Sequence, residues 1–137
     1  ARLFVLLEGR LPRLVRALPL HGGLSPDLQR RCFEVPSSGA PRKVVVATNV
    51  AETSVTLPDV TVVVDSCRER RLTRDHDLSA LAPALLECLC ARDSLRQRKG
   101  RAGRTQSGVC FRLISRAEAE KLPSITAPEI KVLPLET

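Results

Sequence analysis

The segment Gln97-Arg98-Lys99-Gly100-Arg101-Ala102-Gly103-Arg104-Thr105 carries four cationic side chains in nine residues. So much like charge on so bare a backbone calls for an anionic partner or for open solvent. On its own such a block reads first as a solvated face, a nuclear localisation signal or an arginine-glycine RNA-binding segment. Its setting points instead to phosphate chemistry. A helical stretch precedes it and a strand follows, so it closes an ordered element. Arg101 and Arg104 are spaced i,i+3, which sets two side chains on one helical face, and Gly100 and Gly103 remove bulk beside them. Two guanidiniums so placed can converge on one phosphate chain. Guanidinium suits that task because it is always charged and its donor fork matches phosphate oxygens.

A second constellation is Ala47-Thr48-Asn49-Val50-Ala51-Glu52-Thr53-Ser54-Val55-Thr56. It follows a valine run that reads as a buried strand. Ligands of open parallel sheets bind beyond the carboxyl ends of the strands, and Thr48 and Asn49 offer a hydroxyl and an amide at that place. The alternative is a helix start in which Thr48 or Asn49 only caps the following turn.

The elements that must position these groups are legible as patterns. Residues 3–11 have helical apolar spacing, weakened at Gly9 and stopped by Pro12. Residues 13–20 form a short apolar run suited to a strand. Ser25, Pro26 and Asp27 mark a helix start, with Leu28, Cys32 and Phe33 expected to face inward. Residues 43–49 and 60–66 are continuous β-branched runs, as expected of strands buried on both faces. Residues 67–78 are the most charged segment and read as an exposed hairpin or loop. A helix is expected over 84–99, a third strand over 108–114, and a short helix over 116–122. The pattern predicts an α/β fold: a parallel sheet with helices on both faces.

Composition narrows the class. The length suits one domain, residues 1–137, and the 43% hydrophobic content suffices for a core without disulfides. A formal charge of +7 favours nucleic acid or phosphate as partner. The five cysteines have no framework spacing and read as reduced thiols of an intracellular protein, nuclear or cytoplasmic. Cys88-Leu-Cys90 lacks the spacing of a zinc knuckle, so no metal site is expected. No stretch is apolar enough to span a membrane, so a membrane partner is not expected. With no methionine and a start at Ala1, the chain is expected to be a fragment or one whose start is missing.

Together the two constellations resemble a known family. Residues 47–56 look like motif V, and residues 97–104 like motif VI, of DEAH-box/RHA-type superfamily 2 RNA helicases. Residues 18–25 are similar to their motif IVa, and residues 127–136 resemble the line closing their second RecA-like domain. The resemblance implies that domain's fold: a RecA-like parallel sheet, truncated at its N-terminal strand, with a β-hairpin insertion over 67–78. It implies that Gln97 positions the γ-phosphate and attacking water, and that Arg101 and Arg104 are arginine fingers reaching across a cleft. Gly100 lies in the same nucleotide-facing loop. Phe33 matches the aromatic that stacks on adenine; its alternative is a core phenylalanine. Thr48, Asn49 and Thr53 match positions at the RNA backbone, and Arg68, Arg70, Arg71 and Arg74 would guide the strand, unless they form a solvated turn.

The implied cofactor is ATP with Mg2+, the metal held mainly by a first RecA-like domain. The implied partners are RNA, that first domain in cis and protein activators. The chain departs from the family pattern in several places. His21 is followed by Gly22 and Gly23 instead of hydroxyl residues, and Cys67 stands where the family has glycine. The P-loop, the DEAH box, the motif IV strand and the winged-helix domain are expected to lie outside this chain. The fragment alone is therefore expected to be inactive. A non-catalytic RNA-binding or scaffold module derived from a helicase is the alternative. A generic nucleotide-binding domain is disfavoured because no glycine-rich loop follows a strand.

Overall fold

The computed structural model describes residues 14–53, 56–73 and 84–126. The expected helix over 3–11, residues 74–78 with Arg74, Ser54, and the closing line at 127–136 lie outside them.

The first half is a β-α-β unit. Strand β1 (Val15–Leu20) pairs in parallel with β2 (Arg42–Ala47), in register from Val15 opposite Arg42 to Leu20 opposite Ala47. Helix α1 (Pro26–Phe33) connects them. Pro26 fills its first turn, where a missing N–H costs nothing. Ser25 is the N-cap residue by position, but its side chain makes no capping bond. Of the three residues expected to face inward, only Cys32 is buried. Leu28 is 44% exposed and Phe33 37% exposed. The helix is short and lies on β1 by one edge. Cys32 joins Leu18 and Leu20 in a small core, closed by Val45, Val50, Ala51 and Leu57.

Lys43 fixes the end of α1. Its ammonium donates to the carbonyls of Cys32 (2.8 Å) and Glu34 (2.9 Å) and pairs with Asp59 at 2.7 Å. Unpaired carbonyls at a helix C-terminus are thereby satisfied by a cation, the sign the helix dipole favours there.

The second half has its own core. Strand β3 (Val62–Asp65) pairs in parallel with β6 (Val109–Arg112). Strands β4 (Arg68–Thr73) and β5 (Ala84–Leu89) form an antiparallel pair. Helix α3 (Arg92–Lys99) packs against β3 and against α2 (Val50–Thr53), and α4 (Arg116–Lys121) follows β6. Cys67, Cys90, Leu95 and Leu122 form the core, with Leu89 and Ile114 against it. Ser115 starts α4 with a capping box: its hydroxyl accepts from the Glu118 N–H while the Glu118 carboxylate accepts from the Ser115 N–H.

Two expectations are corrected. Residues 84–89 are a strand, and the helix begins only at Arg92. The leucines and glutamate there favour a helix locally, but pairing with β4 overrides that preference. The valine run of β3 is not buried on both faces. Val62 and Val64 are exposed, as are their partners Val109 and Phe111, because α3 covers only the opposite face. The parallel strands form two separate pairs among the described residues, with no ladder joining β2 to β3.

Candidate nucleotide- and RNA-facing site

A cleft of about 1390 Å³ opens between β2 and β3. Thr48, Asn49 and Glu52 line it from beyond the end of β2, Asp65 and Ser66 from the end of β3, and Arg101 from the basic segment. It thus reaches the carboxyl ends of parallel strands, where α/β sheets place their ligands. Thr48 and Asn49 are exposed. They also open α2 through their backbone: the Ala51 N–H donates to the Thr48 carbonyl at 3.2 Å and the Glu52 N–H to that of Asn49 at 2.9 Å. Thr53 is the last residue of α2, and its side chain lies outside the described set.

The basic segment is not one helical face. Helix α3 stops at Lys99, and Gly100 N–H closes its last turn on the Arg96 carbonyl at 3.0 Å. Arg101 and Arg104 therefore lie on the turn beyond the helix. Within this turn Gly103 has φ +89°, a conformation in which a Cβ would be strained. Gly108 returns so close that a Cβ on it would stand 2.7 Å from the Gly103 nitrogen and 2.8 Å from the Ala102 Cβ. Gly100, by contrast, has an ordinary φ of −64°.

This turn is fastened to the segment after α2. The Gly103 N–H donates to the Val60 carbonyl, the Thr105 hydroxyl to the Pro58 carbonyl, and the Arg104 guanidinium to the Thr56 hydroxyl at 2.9 Å. The two constellations singled out in the sequence are thus physically joined. Arg101 and Arg104 also sense each other. Burial, then the like charge of Arg104, lowers the Arg101 pKa below its ordinary value, with Glu52 offsetting part of the effect.

The candidates are not all in one place. Thr48, Asn49 and Arg101 line the cleft; Gln97, Gly100, Arg104 and Phe33 are exposed outside its lining. In the β4–β5 pair, Arg68 is matched with Glu87 at 3.2 Å and Arg71 with Glu69, leaving those two cations partly neutralised. Arg70 is exposed and lines the cleft.

Sequence reasoning passed over Arg98. Its Nε donates to Glu52 (2.9 Å) and its Nη1 to Asp65 (3.1 Å) and to the Arg68 carbonyl (3.2 Å), while Nη2 stands 3.7 Å from Glu69. Its partners lie 29 to 46 positions away in the chain, from Glu69 and Glu52, so no local spacing announces them. Burial alone would lower its pKa. The hydrogen bond to Glu52 and the contacts with Asp65 outweigh burial and hold it well above the ordinary value.

Cys67, in the place where the resembled family has glycine, adopts a left-handed backbone with φ 58°. Its N–H donates to the Asp65 carboxylate at 2.9 Å, and its side chain is fully buried. All five cysteines are free thiols. Burial pushes the Cys90 thiol up to about 11, which keeps it protonated and unreactive. Among the described residues no group of three or more His, Cys, Asp or Glu side chains is placed to hold a metal ion. No helix among them is long and apolar enough to cross a membrane.

The chain is similar to known proteins. Residues 4–106 match the helicase conserved C-terminal domain. A DEAH-box ATP-dependent helicase of Mycosarcoma maydis, UM11114, is 48% identical over 90% of the chain, and the ATP-dependent RNA helicase DHX29 of Homo sapiens 40% identical over 88%. The chain spans only 8% and 9% of their lengths. The crystal structure of the Escherichia coli DExH-box NTPase HrpB superposes with a TM-score of 0.81 at 37% identity, covering 90% of this chain and 15% of that one. The chain belongs to the helicase conserved C-terminal domain family, in its DEAH-box/RHA-type branch.

Proposed function

We propose that the chain is the second RecA-like half of an ATP-dependent RNA helicase, completing a nucleotide site whose other wall is a first RecA-like domain in cis. The observation that carries this reading is the turn past α3. It holds two guanidiniums within each other's field and is fastened to the segment that leads from Thr48 and Asn49. Arg101 and Arg104 act there as fingers on the triphosphate. They stabilise negative charge in the transition state, a contribution worth about 10³ to 10⁵ in rate in other NTPases. Gln97, one turn before Arg101, orients the attacking water. Gly100 leaves room for the phosphates. Phe33, turned out of the core, stacks on adenine.

Thr48, Asn49 and Thr53 contact the RNA backbone, which fixes register without reading bases. Mg2+ accompanies the ATP on the first domain. Movement of the cleft on hydrolysis is passed to RNA through α2.

Comparison of the full-length protein with residues 1–137 alone tests this reading. The full-length protein should hydrolyse ATP and do so faster with single-stranded RNA, while the isolated chain should not turn over. Robust RNA-stimulated ATPase from the isolated chain overturns the half-site account. RNA binding without any ATPase in the full-length protein favours a non-catalytic RNA-binding module.

A further inference from the structure

Arg98 sits between the residues proposed to face nucleotide, yet points away from them into a set of carboxylates. Glu52 comes from α2, Asp65 from the end of β3, and Glu69 with the Arg68 carbonyl from the root of β4. All three carboxylates are largely withdrawn from water: their side chains are 12%, 2% and 14% exposed, and that of Arg98 15%. One guanidinium thus ties the last turn of α3 to three elements, α2, β3 and β4. A planar fork with five donors can serve four acceptors from three directions at once, whereas an ammonium is a single point charge.

We propose that Arg98 is a positioning residue that couples the β4–β5 hairpin and α2 to the arginine-bearing turn, so that engagement of RNA at the first two sets the geometry of Arg101 at the nucleotide. This inference rests on the helicase reading above. The hairpin root enters through two contacts, the Arg68 carbonyl and Glu69, and α2 through Glu52. A shift of either moves the carboxylate that holds Arg98. Because α3 ends one residue later, the shift reaches the Gly100–Arg104 turn without passing through a flexible linker.

The test is the ratio of RNA-stimulated to basal ATPase in the full-length protein, with poly(U) as the RNA, for Arg98→Lys and Glu69→Gln. Arg98→Lys keeps the charge and loses the fork, and the ratio should fall at least about tenfold. Glu69→Gln weakens the hairpin contact to Arg98 together with the Glu69–Arg71 pair and leaves the Glu52 and Asp65 contacts in place, and the ratio should fall about threefold. A merely structural role would lower basal and stimulated rates by one common factor, in step with the melting temperature. That result, or wild-type ratios in both variants, overturns the inference. If Arg98→Lys does not fold, the Glu69→Gln ratio decides alone. An unaltered protein that shows no RNA stimulation overturns the helicase reading and this inference together. Intact stimulation with unaltered ratios in the variants sinks this inference only.

Discussion

Arg98 and Arg101 stand one helical turn apart in the same basic segment, and the fold treats their charges in opposite ways. Both are partly withdrawn from water. Around Arg98 the hydrogen bond to Glu52 and the contacts with Asp65 outweigh burial, and the cation is favoured. Around Arg101 burial and the Arg104 charge act together, Glu52 compensates only in part, and the cation is disfavoured. One arginine is consumed by the protein's own carboxylates. The other lines the cleft beside the like charge of Arg104. A run of like charges is therefore not one structural unit, and spacing alone does not distinguish the arginine held by internal carboxylates from its neighbour beside Arg104.

Stability measurements sharpen that contrast most. Arg98→Ala leaves Asp65 and Glu52 uncompensated in a largely dry place and should cost about 3 kcal/mol in urea unfolding. Arg101→Ala removes a charge the fold disfavours and should cost under about 1 kcal/mol. Equal losses would break the comparison. Gly108→Ala presses a Cβ into the Ala102–Gly103 backbone and should cost about 2 kcal/mol, while Gly22→Ala, in open space, should be nearly silent in the same assay. Ser115→Ala should cost about 1 kcal/mol by removing the capping box of α4.

The smallest effect concerns pH. Asp93 accepts from the Thr126 N–H at 3.1 Å and from the Ser94 N–H at 2.8 Å, bonds that hold its pKa below the ordinary 3.8 although burial opposes them. A carboxylate depressed in the folded state stabilises above its unfolded pKa, and the contribution is lost as pH falls through the folded one. Stability should therefore decline more gently below pH 3.8 in Asp93→Asn than in the unaltered protein. Parallel declines would mean that Asp93 gains nothing from these bonds.

Local signals were readable where the local physics decides. Ser25-Pro26-Asp27 marks the start of α1 because a proline suits the first turn and little else. The valine runs mark β2 and β3 because branched side chains suit pleated backbone. Ala84–Leu89 misleads because its residues favour a helix until β4 is beside them. The valines of β3 mislead differently: hydrophobicity makes a strand but does not guarantee that both its faces are covered. Within the site, the junction of the two constellations was legible as a resemblance, and its geometry was not. The end of the helix at Lys99 was legible from Gly100 behind it, but nothing in residues 97–105 shows that the turn beyond docks on Val60 and against Gly108. The network around Arg98 depends on three carboxylates brought from other elements.

The most direct test is the RNA-stimulated ATPase of Arg101→Ala in the full-length protein, measured at saturating ATP. As a finger on the transferring phosphoryl group, Arg101 should take kcat down by about 10³-fold when removed, with folding intact. A folded variant whose kcat stays within about threefold of the unaltered protein would contradict the account, because a phosphate ligand of the transition state cannot be that dispensable.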